Sequence, residues 1–195
     1  MKISVAPRGI LTRELTLGIA LTRAIGVFCF ILLTAIGAYV RIPLAFTPVP
    51  ITLQTFFVLL SGAVLGRRLG PLSQAGYLLL GALGLPVFSP IGLGLCGPTG
   101  GYLLGFMAAS WIVAQVLDKR SQRDIPTLSA AMILGTFLGI YLFGVLGLSL
   151  YLHSGLIKAA ALGILPFLPG DALKIILAVY IAGRIGPRSR EIFAN

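Results

Sequence analysis

The chain has 195 residues, of which 57% are hydrophobic and 10% charged, and its mean hydropathy is +1.03. A water-facing domain usually carries about 25% charged residues, so lipid is the expected solvent for most of this surface. The formal charge of +10 falls between apolar stretches and forms no basic stripe interleaved with aromatics, which argues against nucleic-acid binding.

In chain order, the pattern predicts an all-α membrane protein. It is a compact bundle of six transmembrane helices over 24–184, preceded by a basic surface segment (1–23) and followed by a cytoplasmic tail (185–195). The stretch LTRELTLGIALTR is amphipathic and either lies at the membrane surface or extends the first helix. It lacks a small-residue cleavage site after a short apolar core and reads as mature sequence. Segment 1 runs from Ala24 to Val40. Within it, Cys29 reads as a small core residue, and Thr34, Gly37 and Ala38 would let another helix approach closely. Segment 2 (Ile51 to Gly66) and segment 3 (Gly70 to Leu83) flank Arg67 and Arg68. Segment 4 spans Tyr102 to Leu117 and segment 5 Thr127 to Leu150. Segment 6 opens at FLPGDALK and ends near Ala182.

Charge placement sets the expected orientation. For a six-span chain, Lys2, Arg8, Arg13, Arg23, Arg67, Arg68, Lys119, Arg120, Arg123, Arg184, Arg188 and Arg190 fall on one side, and Arg41 and Lys158 on the other. The positive-inside rule then puts both termini in the cytoplasm. The outer connections are RIPLAFTPVP, LPVFSPIGLGLCGPTGG and LHSGLIKAAALGILPFLPG, and they hold most of the prolines. Irregular backbone at membrane depth is tolerated where protein buries it or where it lines a cavity. These loops are expected either to cap a pocket or to serve as tight interhelical turns.

Asp171 and Lys174 lie three residues apart in the otherwise apolar PGDALKIILAV. A first-turn carboxylate is favoured by free N–H groups and the helix dipole, whereas a cation there is not, so an anionic group is expected near the ammonium. The couple is either a structural cap or a substrate contact, and ionisable groups inside membrane segments usually mark the latter. Gln54 can donate and accept, toward a ligand or another helix. Tyr77 is placed to line the pocket or pack at an interface, and Arg41 to anchor at the membrane surface or meet a ligand carboxylate. His153 and Lys158 read as solvated. No Walker A sequence, no H-E-x-x-H and no Ser/His/Asp set exists, so neither an ATP site nor an enzyme is expected; with one His and Cys29 and Cys96 apart, no metal site is expected either.

Four blocks in order, GAYVRIPLAFTPVPITLQTF, LGRRLGPLSQAGYLLLGALGLPVF, GLGLCGPTGGYLLGF and FLPGDALK, resemble the BioY family, the biotin-specific S components of energy-coupling factor (ECF) transporters. The resemblance implies a six-helix S-component fold in a bacterial plasma membrane, with a biotin pocket near the extracellular face and no cofactor. It implies that Asp171 and Lys174 meet the ligand, with Gln54, Gly97 and Thr99 in the pocket walls. On that reading Asp171 accepts a ureido N–H, Lys174 neutralises the carboxylate, and Gln54 or backbone takes the second N–H. The implied partners are a transmembrane coupling subunit and two ATPases, with Thr34, Gly37 and Ala38 as docking face. Where the family pattern suggests a more polar, Asn-bearing loop, this chain has LPVFSPIGLGL. Other readings are an S component for a different vitamin, a membrane-embedded enzyme, or a structural assembly subunit.

Overall fold

The computed structural model describes residues 8–90, 94–119 and 124–193. Lys2, Arg120 and Arg123, three of the charges that set the expected orientation, lie outside the described residues. Among the described residues, six helices form the bundle: α1 (Arg8–Tyr39), α2 (Gln54–Ala82), α3 (Gly100–Asp118), α4 (Ile125–Tyr151), α5 (Leu156–Gly163) and α6 (Leu168–Phe193). Segments 2 and 3 are the two limbs of α2. They meet at Gly66, whose φ of 78° and ψ of −169° break the helix, a conformation open to glycine because it lacks a Cβ.

Among the described residues, three helical spans, Gly18–Tyr39, Gly100–Asp118 and Ile125–Tyr151, are long and apolar enough to cross a membrane, and α5 with Leu168–Gly186, a pair bent by 58°, is so only when the two are taken together. Their outer faces carry large apolar side chains such as Leu32, Ile36, Leu150 and Ile176, as lipid-facing surfaces do.

Of the two readings of the stretch before Ala24, the structure shows the second: from Arg8 it continues α1 without a break. Other expectations are corrected. The last helix does not stop near Ala182 but runs to Phe193, because the charged stretch marks the end of the apolar run and not of the hydrogen-bonded ladder. Cys29 is exposed, on the outer side of α1 with Phe28 and Leu32, so it is no core residue. Arg41–Ile42 and Ile51–Thr52 form a short antiparallel ladder, β1 and β2, pairing Arg41 with Thr52. Pro43, Pro48 and Pro50 bar helix between these strands.

The expected docking stripe is spent inside the chain. Thr34 and Ala38 are fully buried, and a Cβ on Gly37 would lie 3.0 Å from the Gln54 backbone nitrogen. The small residues therefore let α2 close on α1. Within the bundle, Gln74 Nε2 donates to Ser61 Oγ at 3.1 Å, Ser61 and Ser110 share a 2.9 Å bond, and Thr34 Oγ1 donates to Gln74 Oε1 at 3.4 Å. This buried knot joins α1, both limbs of α2 and α3.

Candidate binding site

The helix directions sort the polar residues by end. α1 rises to Tyr39, α2 descends from Gln54 to Gly66 and returns to Ala82, α3 descends from Gly100, α4 returns, and α6 descends from Leu168. Arg67, Arg68, Lys119 and Arg184 thus lie at one end and are exposed. The starts of α2, α3 and α6 meet at the other, and the free N–H groups and positive dipole ends of three helices converge there.

Between them lies a cavity of about 40 Å³. Its polar lining comes from Thr52, Gln54, Thr55, Ser89, Thr99, Tyr141, Asp171 and Lys174, and its apolar walls from Val49, Leu103, Phe106, Ile140 and Phe167, with Pro50 and Tyr102 completing it. Asp171 sits in the first turn of α6. Its Oδ1 accepts from Lys174 Nζ at 2.8 Å and Thr55 Oγ1 at 3.2 Å, and Oδ2 accepts from the Tyr141 hydroxyl at 2.6 Å. Lys174 also donates to Thr55 Oγ1 at 3.1 Å. Asp171 and Lys174 are 5% and 9% exposed. Two charges so removed from water persist because each has the other plus neutral partners.

The expected residues divide. Gln54 and Thr99 line the cavity with Asp171 and Lys174. Tyr77 does not; it stands behind Gln54, accepting from its Nε2 at 2.6 Å and donating to the Val87 carbonyl at 3.1 Å. Gln54 Oε1 accepts from Thr52 at 3.2 Å. Gly97 is buried in the turn leading into α3 but outside the lining. There, a Cβ on Gly100 would lie 2.0 Å from Leu95 O, so the turn is closed by backbone contact. Arg41 is half-buried at the rim, its Nη1 donating to Ser89 Oγ at 3.5 Å. His153 and Lys158 are exposed.

Sequence reasoning missed Thr55, Tyr141, Ser89 and Phe167 as lining residues, while Tyr102 closes the GPTGGY turn that the resemblance set in the pocket walls. Thr55 adjoins Gln54 and could have been found by its place in the first turn of α2. Tyr141 lies mid-helix in GIYLFG, where only a hydroxyl in an apolar run marks it.

Comparison with known proteins gives a consistent picture. The family model described as the BioY family matches residues 11–191. The biotin transporter BioY of Thermotoga maritima is 42% identical over 159 residues, covering 80% of this chain and 90% of that one. The biotin transporter BioY of Rhodobacter capsulatus is 38% identical over 175 residues, covering 83% and 90%. Among solved structures, the S-component for biotin from an ECF-type ABC transporter superposes with a TM-score of 0.72 at 27% identity, covering 93% of this chain and 94% of that chain.

Proposed function

The chain belongs to the BioY family, and from that premise we propose that it is the biotin-binding membrane subunit of a biotin uptake system. The observation that carries this reading is the buried Asp171–Lys174 couple lining a cavity at the end of the bundle opposite Arg67, Arg68, Lys119 and Arg184.

Biotin offers a ureido ring with two N–H donors flanking a carbonyl, an apolar thioether ring and a valerate tail. Along one edge of the ureido group a donor and an acceptor lie side by side. Asp171 Oδ1 and Lys174 Nζ, 2.8 Å apart, form the complementary acceptor and donor. Such a pair suits one edge of one ring and cannot span from the ring to the far end of an extended tail. The expectation that Lys174 neutralises the carboxylate therefore gives way to a different assignment. Lys174 donates to the ureido carbonyl, and Asp171 accepts the adjacent N–H. Gln54 accepts the second N–H, and Leu103, Phe106, Ile140 and Phe167 bury the thioether ring. Each buried CH₂ contributes about 0.8 kcal/mol. The tail then points to the rim, where Arg41 beside Ser89 offers the guanidinium fork suited to a carboxylate.

The cavity of about 40 Å³ has room for about three waters, far below the ~300 Å³ typical of ligand pockets. Binding must therefore part the walls.

The proposed setting is a bacterial plasma membrane with the basic end cytoplasmic and the pocket facing outward, as the positive-inside rule requires. Having no Walker A sequence, the chain would borrow its drive from an ECF coupling subunit and two ATPases. With Thr34, Gly37 and Ala38 engaged internally, docking would fall to exposed side chains.

Equilibrium binding of labelled biotin to the purified chain tests the reading. Saturable binding, lost on replacing Asp171 or Lys174, supports it; no binding overturns it.

A further inference from the structure

Within α4, residues Gly135–Tyr141 form a π-helical stretch, and the Leu142 N–H donates to Phe137 O, five residues back. A π turn inserts one residue into the α-helical ladder and redirects the rest of the helix; such turns recur at functional sites. Here it is pressed onto α3. A Cβ on Gly139 would lie 2.4 Å from Ala109 Cα, and one on Gly135 2.6 Å from a Val113 methyl. The stretch ends on Ile140 and Tyr141, sequence neighbours that both line the cavity.

The Tyr141 hydroxyl reaches across to Asp171 Oδ2 at 2.6 Å. Lys174 and Thr55 both hold Oδ1, so Tyr141 is the one partner of Oδ2 among the described residues. Without it that oxygen is buried and unmatched, and the carboxylate is free to turn either oxygen toward the ammonium.

We propose that Tyr141 is a positioning residue for ligand recognition: its hydroxyl, delivered by the π turn of α4, fixes the Asp171 carboxylate so that the ureido edge meets a preset acceptor beside the Lys174 donor. The inference rests on the reading that Asp171 accepts a ureido N–H. The hydroxyl acts through Asp171 and its ring packs edge-on against Phe137, centroids 5.3 Å apart, so Tyr141→Phe keeps the packing and removes the bond.

The test is a double-mutant cycle on the full purified chain, with labelled biotin as probe. Tyr141→Phe is expected to weaken binding about tenfold, the loss of about one charge-assisted hydrogen bond. In an Asp171→Ala background the same change is expected to cost less than about twofold, because the oxygen it positions is gone. Equal losses in both backgrounds mean a packing role and overturn the proposal, as does no loss in the native background. If Asp171→Ala does not fold, biotin methylated at each ureido nitrogen in turn replaces it. Tyr141→Phe must then leave unchanged the affinity for the analogue that has lost the donor to Asp171, and equal losses for both analogues overturn the proposal. Failure of the wild-type chain to bind biotin would instead overturn the functional reading itself; a wild type that binds, with Tyr141→Phe unchanged, removes this inference alone.

Discussion

Lys174 Nζ lies 2.8 Å from Asp171 Oδ1, one helical turn along α6, and Thr55 from α2 closes the triangle by donating to the acid and accepting from the base. Acid and base thus form one polar edge, and on the proposed reading they meet one ring edge together and do not grip the two ends of a ligand. The protein joins a donor and an acceptor, already desolvated, to an apolar box, and a ligand with the opposite pairing repays their burial.

Removing either partner leaves the other charged and unmatched. Asp171→Asn and Lys174→Met are each expected to weaken biotin binding by at least about tenfold, within the roughly 2–5 kcal/mol seen on truncating one member of a buried charge pair. The double substitution is expected to melt in detergent at a higher temperature than Lys174→Met alone, because it no longer buries a lone charge. A melt in which the double variant is the less stable by the sum of both single losses contradicts the coupling.

Arg41 tests the assignment of the tail. Arg41→Gln is expected to lower affinity for biotin about three- to tenfold, the share of an exposed-rim charge-assisted bond, while leaving affinity for biotin amide, whose tail is uncharged, nearly unchanged. Equal losses for the two ligands would return Arg41 to the role of surface anchor. A competition assay with both ligands decides it.

Cys96 and Cys29 report on sidedness. Cys96 is exposed in the loop leading to α3, at the pocket end, and Cys29 is exposed on the lipid-facing side of α1. With the pocket outward, a membrane-impermeant maleimide added to intact cells is expected to label Cys96 and spare Cys29, whose surroundings hold no water to carry the reagent. Labelling of Cys96 only after the cells are opened would invert the orientation.

Two glycines give a stability contrast. A Cβ on Gly62 would lie 2.3 Å from the Ser110 carbonyl oxygen, backbone that cannot yield, whereas one on Gly18 meets nothing within 4 Å. Gly62→Ala is expected to destabilise the bundle by about 1–3 kcal/mol by forcing α2 and α3 apart. Gly18→Ala is expected to be neutral or to gain a few tenths of a kcal/mol, since alanine is the better helix former. Thermal melts of the two variants in the same detergent test this; equal melting temperatures contradict it.

Much of this architecture was legible in the sequence because lipid imposes simple rules. Runs of apolar residues located five of the helices, including both limbs of α2, and Arg67 and Arg68 marked the turn between them; α5 (Leu156–Gly163) was missed, because it lies inside a stretch whose prolines and glycines read as an irregular outer connection. Asp171 and Lys174 stood out because charge in an apolar helix has few excuses. Legibility failed where an interaction depends on what lies across the bundle. Nothing near Tyr141 announces that a π turn will aim it at a carboxylate thirty residues away. Tyr77 and Gln54 drew notice as separate polar residues, yet their 2.6 Å bond puts one behind the other. The small residues Thr34, Gly37 and Ala38 signalled close helix approach correctly, but spacing alone does not say whether the approaching helix belongs to the same chain.

The most direct measurement is equilibrium binding of labelled biotin to the purified chain and to its Asp171→Asn and Lys174→Met variants, each first shown to be folded by its melting transition. The account predicts saturable binding by the native chain and at least about tenfold weaker binding by both variants. Native affinity in both would contradict it, since the polar edge on α6 would then play no part in holding the vitamin.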